Sequence, residues 1–314
     1  MGKFVFARVI SGIWSLFAVV FLAFLVIRLI PGDPVLQMLG IHATPQTISV
    51  VRADLGLDES IPKQFFVFVT SAVQGDFGNS IIKRVPVISV IETRSFASVK
   101  LVLFSILIAL FLSFPLGVVS AVWKNRLPDH LIRLGTMVTF AMPSFWLGLM
   151  LIILFSLKLN LFPIGGYGGG FFESIFKLVL PAVTIALYLA PQLTRALRSS
   201  LIETMQSGYI EATRARGCSE FSIVSRYAMK NSLVSLISIL SINVGFLFSG
   251  TVVVESVFQI PGLGALLVQS VLTRDFPVIQ GLVVVFGVLV ILTNIIGDIV
   301  IASIDPRVKL RRVT

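Results

Sequence analysis

The sequence is short of the residues from which catalytic and metal centres are built. In 314 residues it has one cysteine, Cys218, and two histidines, His42 and His130. A single cysteine excludes an internal disulfide and any cysteine-rich metal site. The motifs H-E-x-x-H, G-x-S-x-G and G-x-x-x-x-G-K-S/T, which carry zinc hydrolysis, acyl transfer and phosphate binding, are also absent. We therefore expect a protein that is not an enzyme and holds no ATP in a phosphate loop of its own.

Long apolar runs are what the sequence has instead. Hydrophobic residues make up 56% of the chain, charged residues only 13%, and the mean hydropathy is +0.99. A membrane-spanning helix needs about 20 mostly apolar residues. We predict an all-α, polytopic membrane protein with six transmembrane helices. They lie at 9–29, 101–123, 134–157, 178–194, 233–254 and 278–303.

The distribution of charge predicts the orientation of these helices. The formal net charge is +10, and six spans place both termini on one side, which then collects most of the lysines and arginines. Because these residues accumulate in short cytoplasmic loops, we expect both termini in the cytoplasm and no nucleic-acid site. Residues 9–29 are too long for a signal peptide and no A-x-A-like site follows them, which favours a retained anchor.

The segments between the spans suggest how the chain is organised. We predict an external subdomain with two short helices, written "TPQTISVVRADLGL" and "IPKQFFVFVTSAVQGDFGNS". The first has Thr44 or Thr47 as its cap and ends near Gly56, and the second is too short to span. The divisions are 1–30 for the N-terminus and first span, 31–98 for the external subdomain, 99–304 for a five-helix core and 305–314 for a cytoplasmic tail. Within the core, 198–231 is a cytoplasmic loop and 255–277 an external re-entrant segment.

The cytoplasmic loop has an unusually well-defined pattern. A left-handed cap at Gly217 ends one helix, and Ser219 caps the next. Glu211 and Arg214 are spaced to pair on the helix surface. An amphipathic loop lying on anionic lipid is the alternative, but such a loop does not need so sharp a turn. The apolar stripe of the first helix is Leu201, Met205, Tyr209 and Ala212.

Asp298 is the one carboxylate inside a predicted span, four residues after Asn294. A carboxylate at membrane depth is a functional candidate by default. A polar pair that fixes helix packing is the alternative, and we favour it because a lone carboxylate makes a poor proton relay.

Several motifs resemble one transporter family. Glu211-Ala212-Thr213-x-x-x-Gly217 is similar to the EAA signature of ATP-binding-cassette importer permeases, and the rest of the chain resembles their peptide/nickel branch. The departures from the family pattern are Thr213 for alanine, Cys218 for leucine, Tyr227 for histidine and Lys230 for arginine. The other matching motifs are PGDP (31–34), LGLD (55–58), GDFGNS (75–80), RYAMKNSL (226–233), VVVESVFQIPGLGALL (252–267), RDFPVIQG (274–281), NIIGD (294–298) and DPR (305–307).

This resemblance implies a coupling loop and an external gate. The coupling loop would fit a groove on a separate ATPase. The external element would lie beside the pathway, although a plain structural turn is an equally good interpretation of it. The coupling residues are Tyr209, Glu211, Ala212, Thr213, Arg214, Ala215, Arg216 and Gly217. The gate residues are Glu255, Pro261, Gly262, Gly264, Arg274 and Asp275.

The resemblance also implies partners and a location. It implies a second homologous permease, two cytoplasmic ATPase subunits that bind ATP and Mg, an extracytoplasmic substrate-binding protein, and membrane lipid around the helices. This chain would bind no cofactor and no metal, and would lie in the plasma (inner) membrane of a bacterium or archaeon. Two other classes of protein fit the sequence less well. A self-sufficient secondary transporter would be expected to have paired charges within the membrane or matched broken helices in two halves, and the sequence indicates neither. A membrane scaffold would not need the EAA-like loop.

The substrate is left open by the sequence. Short peptides are the favoured cargo, with nickel or another metal chelate and glutathione-like solutes as alternatives. The spans contain Met137, Met142 and Met150 but no histidine, so a nickel site within the bilayer is not indicated.

Overall fold

The fold is a bundle of α-helices. A computed structural model describes residues 2–29, 35, 44–54 and 58–304. In this part of the chain there is no β-strand beyond an isolated bridge between Asn79 and Pro86. The first helices are α1 (Gly2–Leu29), α2 (Pro45–Asp54), α3 (Ile61–Val73), α4 (Val87–Val122), α5 (Leu127–Ala141) and α6 (Ser144–Leu151). The next are α7 (Phe171–Met205), α8 (Gly208–Ala215), α9 (Glu220–Ser222), α10 (Met229–Val257), α11 (Leu263–Leu272) and α12 (Phe276–Ile304).

Two of these helices continue as π-helix. Ile152–Lys158 extends α6, and Ile223–Ala228 joins α9 to α10. Single π-helical turns within α-helices are uncommon and occur most often at functional sites. The second one carries the chain from the predicted cytoplasmic loop, 198–231, into the next long helix.

The number of membrane spans is four or five in the described residues. Helices α4, α7, α12 and the run Glu220–Phe248 are long and apolar enough to cross a bilayer. The pair Leu127–Ala141 and Ser144–Lys158, bent by 103°, adds a fifth span if its two halves form one crossing of the bilayer. The apolar part of α1 with described side chains, Ile10–Leu25, is shorter than a full span, although the helix has 28 residues. The predicted polytopic all-α class is confirmed, and the predicted count of six is not.

The bend between α5 and α6 has a local cause. Met142 is extended, with φ −80° and ψ 133°, and Pro143 follows it. Proline disfavours the helical conformation of its predecessor and lacks the N–H that a continuous helix would use. The predicted continuous helix at 134–157 is therefore broken near its middle.

Helix α7 is the centre of the bundle. It has 35 residues, about twice the predicted 178–194, with Pro181 and Pro191 inside it, and it packs against α4, α5, α6 and α10. A Cβ on Gly117 of α4 would lie 2.9 Å from Leu197 Cδ2, so the two helices approach closely where the small residue sits. Close packing of this kind, rather than transfer from water, stabilises helix pairs in lipid. The residues that α7 buries here are Leu189, Leu193, Leu197 and Leu201.

The two short helices predicted between the first spans are present as α2 and α3. Phe65 of α3 packs edge-on against the rings of Phe17, Phe21 and Phe24 of α1, with centroids 5.2–5.6 Å apart. Such aromatic pairs contribute about 0.5–1.5 kcal/mol each beyond their buried area. Gly56, the predicted end of α2, lies outside the described residues. Helix α4 begins at Val87, well before the predicted span at 101.

Candidate functional site

In segment 198–231, the loop predicted to be cytoplasmic, the single helix expected from the apolar stripe is divided into two helices. Helix α7 ends at Met205, and α8 begins at Gly208 after the extended residue Ser207. The stripe from Leu201 to Ala212, predicted to lie on one helix, is therefore divided between α7 and α8. Polar residues at 206 and 207 favour this break because serine is a better N-cap than an interior helix residue.

Helix α8 has one buried face and one exposed face. Ile210 is fully buried, and Thr213 is 1% exposed. The hydroxyl of Tyr209 accepts a hydrogen bond of 2.7 Å from Asn231 Nδ2, which ties α8 to the start of α10. The exposed positions of α8 are Gly208, Tyr209, Glu211, Ala212, Arg214 and Ala215.

Thr213, which departs from the EAA signature, has a structural role. Its hydroxyl donates to the Tyr209 carbonyl oxygen at 2.7 Å and accepts from Arg216 Nη2 at 3.1 Å. Arg216 Nε also donates to the Ala212 carbonyl oxygen at 3.3 Å. An alanine here would leave the Arg216 guanidinium without its side-chain acceptor, so Thr213 holds Arg216 across the end of the helix.

The turn after α8 has the predicted form. Gly217 has φ +82°, a left-handed conformation that favours glycine, and its N–H donates to the Arg214 carbonyl oxygen at 2.9 Å. Ser219 Oγ accepts a hydrogen bond of 3.4 Å from the N–H of Ser222, which confirms the predicted cap.

Arg214 pairs with Glu220 and not, as predicted, with Glu211. Its Nε and Nη2 donate to the two Glu220 carboxylate oxygens at 2.5 and 3.2 Å. Hydrogen bonding to Glu220 raises the pKa of Arg214. Both side chains are exposed, so the pair orients the turn and contributes little to stability.

A buried ion pair lies near this loop. Asp129 is fully buried, and Arg198 of α7 donates to its two carboxylate oxygens at 2.8 and 2.7 Å. Ser120 Oγ and the N–H of Asn125 donate to the same carboxylate at 2.5 and 2.9 Å. The pair joins α4, α5 and α7. Sequence analysis missed it; the one signal was a lone carboxylate in the otherwise basic segment 124–133.

The predicted gate residue Glu255 carries a buried carboxylate that contacts the segment following α10. Glu255 is fully buried at the end of α10, and it accepts hydrogen bonds from Ser98 Oγ at 2.6 Å and from the N–H of Ala265 at 2.9 Å. Ser98 Oγ in turn accepts from the N–H of Leu263 at 2.7 Å. Ser98 and Glu255 together thus satisfy the N–H groups of Leu263 and Ala265 at the start of α11.

The two glycines of this segment allow that approach. A Cβ on Gly262 would overlap the Glu255 carboxylate, and one on Gly264 would lie 2.5 Å from Val252 Cα. Pro261 precedes them and separates α10 from α11. The structure therefore brings Glu255, Pro261, Gly262 and Gly264 together. Their role as a gate stays a prediction.

Asp275 forms a second buried anchor. Its carboxylate accepts from Ser80 Oγ at 2.5 Å and from the N–H of Ile81 at 3.1 Å. It fixes the exposed loop 80–86 to the turn between α11 and α12. The neighbouring Arg274 is exposed and has φ +53°. Arg274 and Asp275 are thus placed apart from the Glu255 network.

The predicted intramembrane pair lies elsewhere. Asn294 and Asp298 are on α12, where they line a cavity of about 640 Å³ between α1, α10 and α12. The other polar residues lining this cavity are Ser11, Ser15, Ser238 and Ser241. The pair belongs to neither the coupling loop nor the gate.

The fold resembles that of a solved membrane transporter. A solved inward-facing MetNI methionine ABC transporter is similar with a TM-score of 0.59 and 18% identity, over 69% of this chain and 96% of the other. A second crystal form of the same transporter gives 0.58. This likeness shows that the chain shares the helical fold of a chain of that transporter.

The family follows from the sequence matches. Residues 113–310 match the binding-protein-dependent transport system inner membrane component, and residues 1–117 match the N-terminal region of the membrane components of these systems. The chain belongs to this family. It is 36% identical over 309 residues to the glutathione transport system permease protein GsiC of Escherichia coli strain K12 and of Salmonella typhimurium strain LT2, covering 98% of this chain and 99% of each relative.

Three of the predictions are confirmed by these findings. The chain is the permease of an ATP-driven importer, as its motifs predicted. It is a multi-pass protein of the inner membrane, and a permease of this family works with an ATPase and a binding protein.

Proposed function

We propose that this permease imports short peptides, received from an extracytoplasmic binding protein, by alternating access driven by ATP hydrolysis on partner subunits. Helix α8 is the observation that carries this proposal. Its buried face, formed by Ile210 and Thr213, is anchored to the bundle, while Glu211 and Arg214 on the other face are exposed. A short helix held this firmly transmits the movement of a docked ATPase to α7 and α10.

The complete importer has further subunits. Two cytoplasmic ATPases bind ATP and Mg, this chain performs no catalysis, and a second, homologous permease completes the pathway. Both termini of this chain lie in the cytoplasm, as the distribution of lysine and arginine favours.

The binding protein docks on the face that carries loop 80–86. Lys83 and Arg84 are exposed there, and Ile82 and Val85 are 54% and 40% exposed beside them. Because Asp275 anchors the base of the loop, these side chains form a fixed basic and apolar surface. We infer that it receives an acidic and apolar surface of the binding protein, since complementary charge speeds and orients docking.

A second candidate cargo follows from the relatives. GsiC of Escherichia coli is a glutathione transport system permease, and the identity of 36% extends over nearly the whole chain. Glutathione is itself a modified tripeptide, so both cargoes suit one pathway. A nickel or other metal chelate is the remaining alternative.

Substitution of Gly217 tests the coupling role of α8. Gly217→Arg places a large side chain at φ +82° on the exposed turn, so we expect loss of ATPase docking and of ATP-driven uptake in proteoliposomes. Gly75→Arg is the matched control, because Gly75 has φ +79° and an equally open surrounding on a different loop. Unchanged uptake by Gly217→Arg in the assembled complex would contradict the docking role.

A further inference from the structure

We propose that the cavity at the break between α5 and α6 is this chain's wall of the substrate pathway, and that Tyr188 and Asn243 there select the cargo by charge. The inference rests on the proposed importer function and adds a specificity site to it. The cavity measures about 300 Å³ and lies between the break, α7 and α10.

The cavity lies at the middle of helix α7, at the middle of helix α10 and at the break between α5 and α6. Tyr188 is the central residue of α7, and Asn243 is the central residue of α10. The break at Met142–Pro143 falls at the middle of the bent helix pair that runs from Leu127 to Lys158. The central residues of α7 and α10 thus meet at the break between α5 and α6.

The polar groups at this depth require water or a ligand. Tyr188 is 42% exposed, and within the described residues its hydroxyl makes no hydrogen bond. The Asn243 amide donates to the Ile239 carbonyl oxygen at 2.8 Å, and its own carbonyl oxygen has no partner within those residues. A polar group that faces lipid without a partner costs several kcal/mol. These groups therefore face a wet pathway and not the acyl chains.

The broken backbone leads to the same conclusion. Non-helical backbone is tolerated at membrane depth where it is covered by protein or lines a water-filled space. Ala141, Met142, Pro143 and Ser144 all line this cavity. The break therefore opens onto the same wet space as Tyr188 and Asn243.

The lining gives the cavity its selectivity. The rings of Phe140 and Tyr188 stack with centroids 5.6 Å apart, and Phe246 is 70% exposed beside them. No charged side chain lines the cavity in the described residues. This lining has no charge that could form an ion pair with a charged substrate. The Asn243 amide and the Tyr188 hydroxyl can hydrogen bond to peptide groups, and the aromatic rings can contact apolar side chains. The lining favours peptides with uncharged side chains over strongly charged solutes.

Reciprocal charge substitutions at Asn243 test this site. The assembled importer is reconstituted in proteoliposomes, and maximal uptake rates are measured with saturating binding protein, so that its own affinities do not enter. The cargoes are an alanine–phenylalanine tripeptide, a lysine-containing tripeptide, an aspartate-containing tripeptide and glutathione.

Asn243→Asp should raise the uptake of the lysine peptide relative to the neutral one by about threefold to tenfold, and Asn243→Lys should do the same for the aspartate peptide and glutathione. Tyr188→Phe should slow the neutral peptide. Tyr167→Phe is the control and should leave all ratios unchanged, because Tyr167 is not among the residues lining the cavity. Cargo ratios that stay the same in both Asn243 variants would overturn the proposal.

The labelling of single cysteines provides a readout that does not depend on transport. In a Cys218→Ser background, Asn243→Cys should react with a membrane-impermeant thiol reagent. Leu107→Cys, 64% exposed near the middle of the apolar helix α4, should not react. Equal protection of both cysteines would show a dry cavity and overturn the inference. If wild-type importer takes up glutathione or a metal chelate and no peptide, the peptide proposal fails, whereas the charge ratios at Asn243 still test the cavity.

Discussion

At the scale of the residue, Thr213 illustrates how a departure from a family signature is explained by its contacts. It is almost fully buried and hydrogen bonds to both Tyr209 and Arg216. A buried hydrogen bond contributes about 0.5–1.5 kcal/mol. The hydroxyl therefore rigidifies the last turn of α8, the part of the helix nearest to Gly217.

Thr213→Val removes the hydroxyl and keeps the shape of the side chain. We expect the amide hydrogens of α8 to exchange about fivefold faster, which corresponds to about 1 kcal/mol. Hydrogen exchange followed by mass spectrometry measures this, and Thr213→Ser, which keeps the hydroxyl, should resemble the wild type. Equal exchange in the valine variant and the wild type would show that the hydroxyl does not hold the helix.

At the scale of the element, the Asp129–Arg198 pair joins helices that are adjacent in space and distant in sequence. Arg198 approaches both carboxylate oxygens, and Ser120 and Asn125 satisfy the remaining acceptor positions. A buried pair with complete hydrogen bonding is costly to break on one side, because the other charge is left behind. It holds the end of α7 from which α8 projects.

Asp129→Asn should destabilise the protein by about 3–5 kcal/mol, because the Arg198 guanidinium loses its counter-charge. Thermal unfolding in detergent or nanodiscs measures the loss as a lower melting temperature. Glu59→Gln is the control, since the Glu59–Lys63 pair is exposed and should change stability by less than about 0.5 kcal/mol. If the two variants have the same melting temperature, Asp129 is not a structural anchor.

At the scale of the whole molecule, Asp275 connects two segments that are far apart in the sequence. Ser80 and Asp275 are separated by 195 positions. The contact gives loop 80–86 a fixed position relative to α11 and α12, and hence to the proposed docking surface. Movement of α12 during transport would carry this surface with it.

Asp275→Asn keeps the shape of the side chain but replaces one carboxylate oxygen with an NH2 group. This donor then faces Ser80 Oγ or the N–H of Ile81, which both donate to Asp275 in the wild type. We expect faster hydrogen exchange across residues 80–87 and weaker stimulation of ATP hydrolysis by the loaded binding protein. Asp58→Asn, at an exposed position, should change neither measurement. If hydrogen exchange in loop 80–86 becomes faster but the binding protein still stimulates ATP hydrolysis fully, Asp275 anchors the loop and the loop is not the docking surface.

The sequence by itself determined the class of the protein and its local turns. Apolar length, the cap at Gly217 and the motifs of 208–217 and 252–267 are local properties, so they could be predicted without knowing which helices meet. The break after Met142 is a local feature that the prediction missed. Pro143 could have indicated it, but the long apolar run on both sides favoured one continuous span.

The tertiary structure decided which distant side chains share a site. Glu255 meets Ser98, Asp129 meets Arg198, and Tyr188 meets Asn243 across a cavity. Hydrogen-bond partners 157 and 69 positions apart, as in the first two contacts, leave no periodic signal in one sequence. Helices form from hydrogen bonds within a few residues, whereas buried carboxylates find their partners only after the helices have packed.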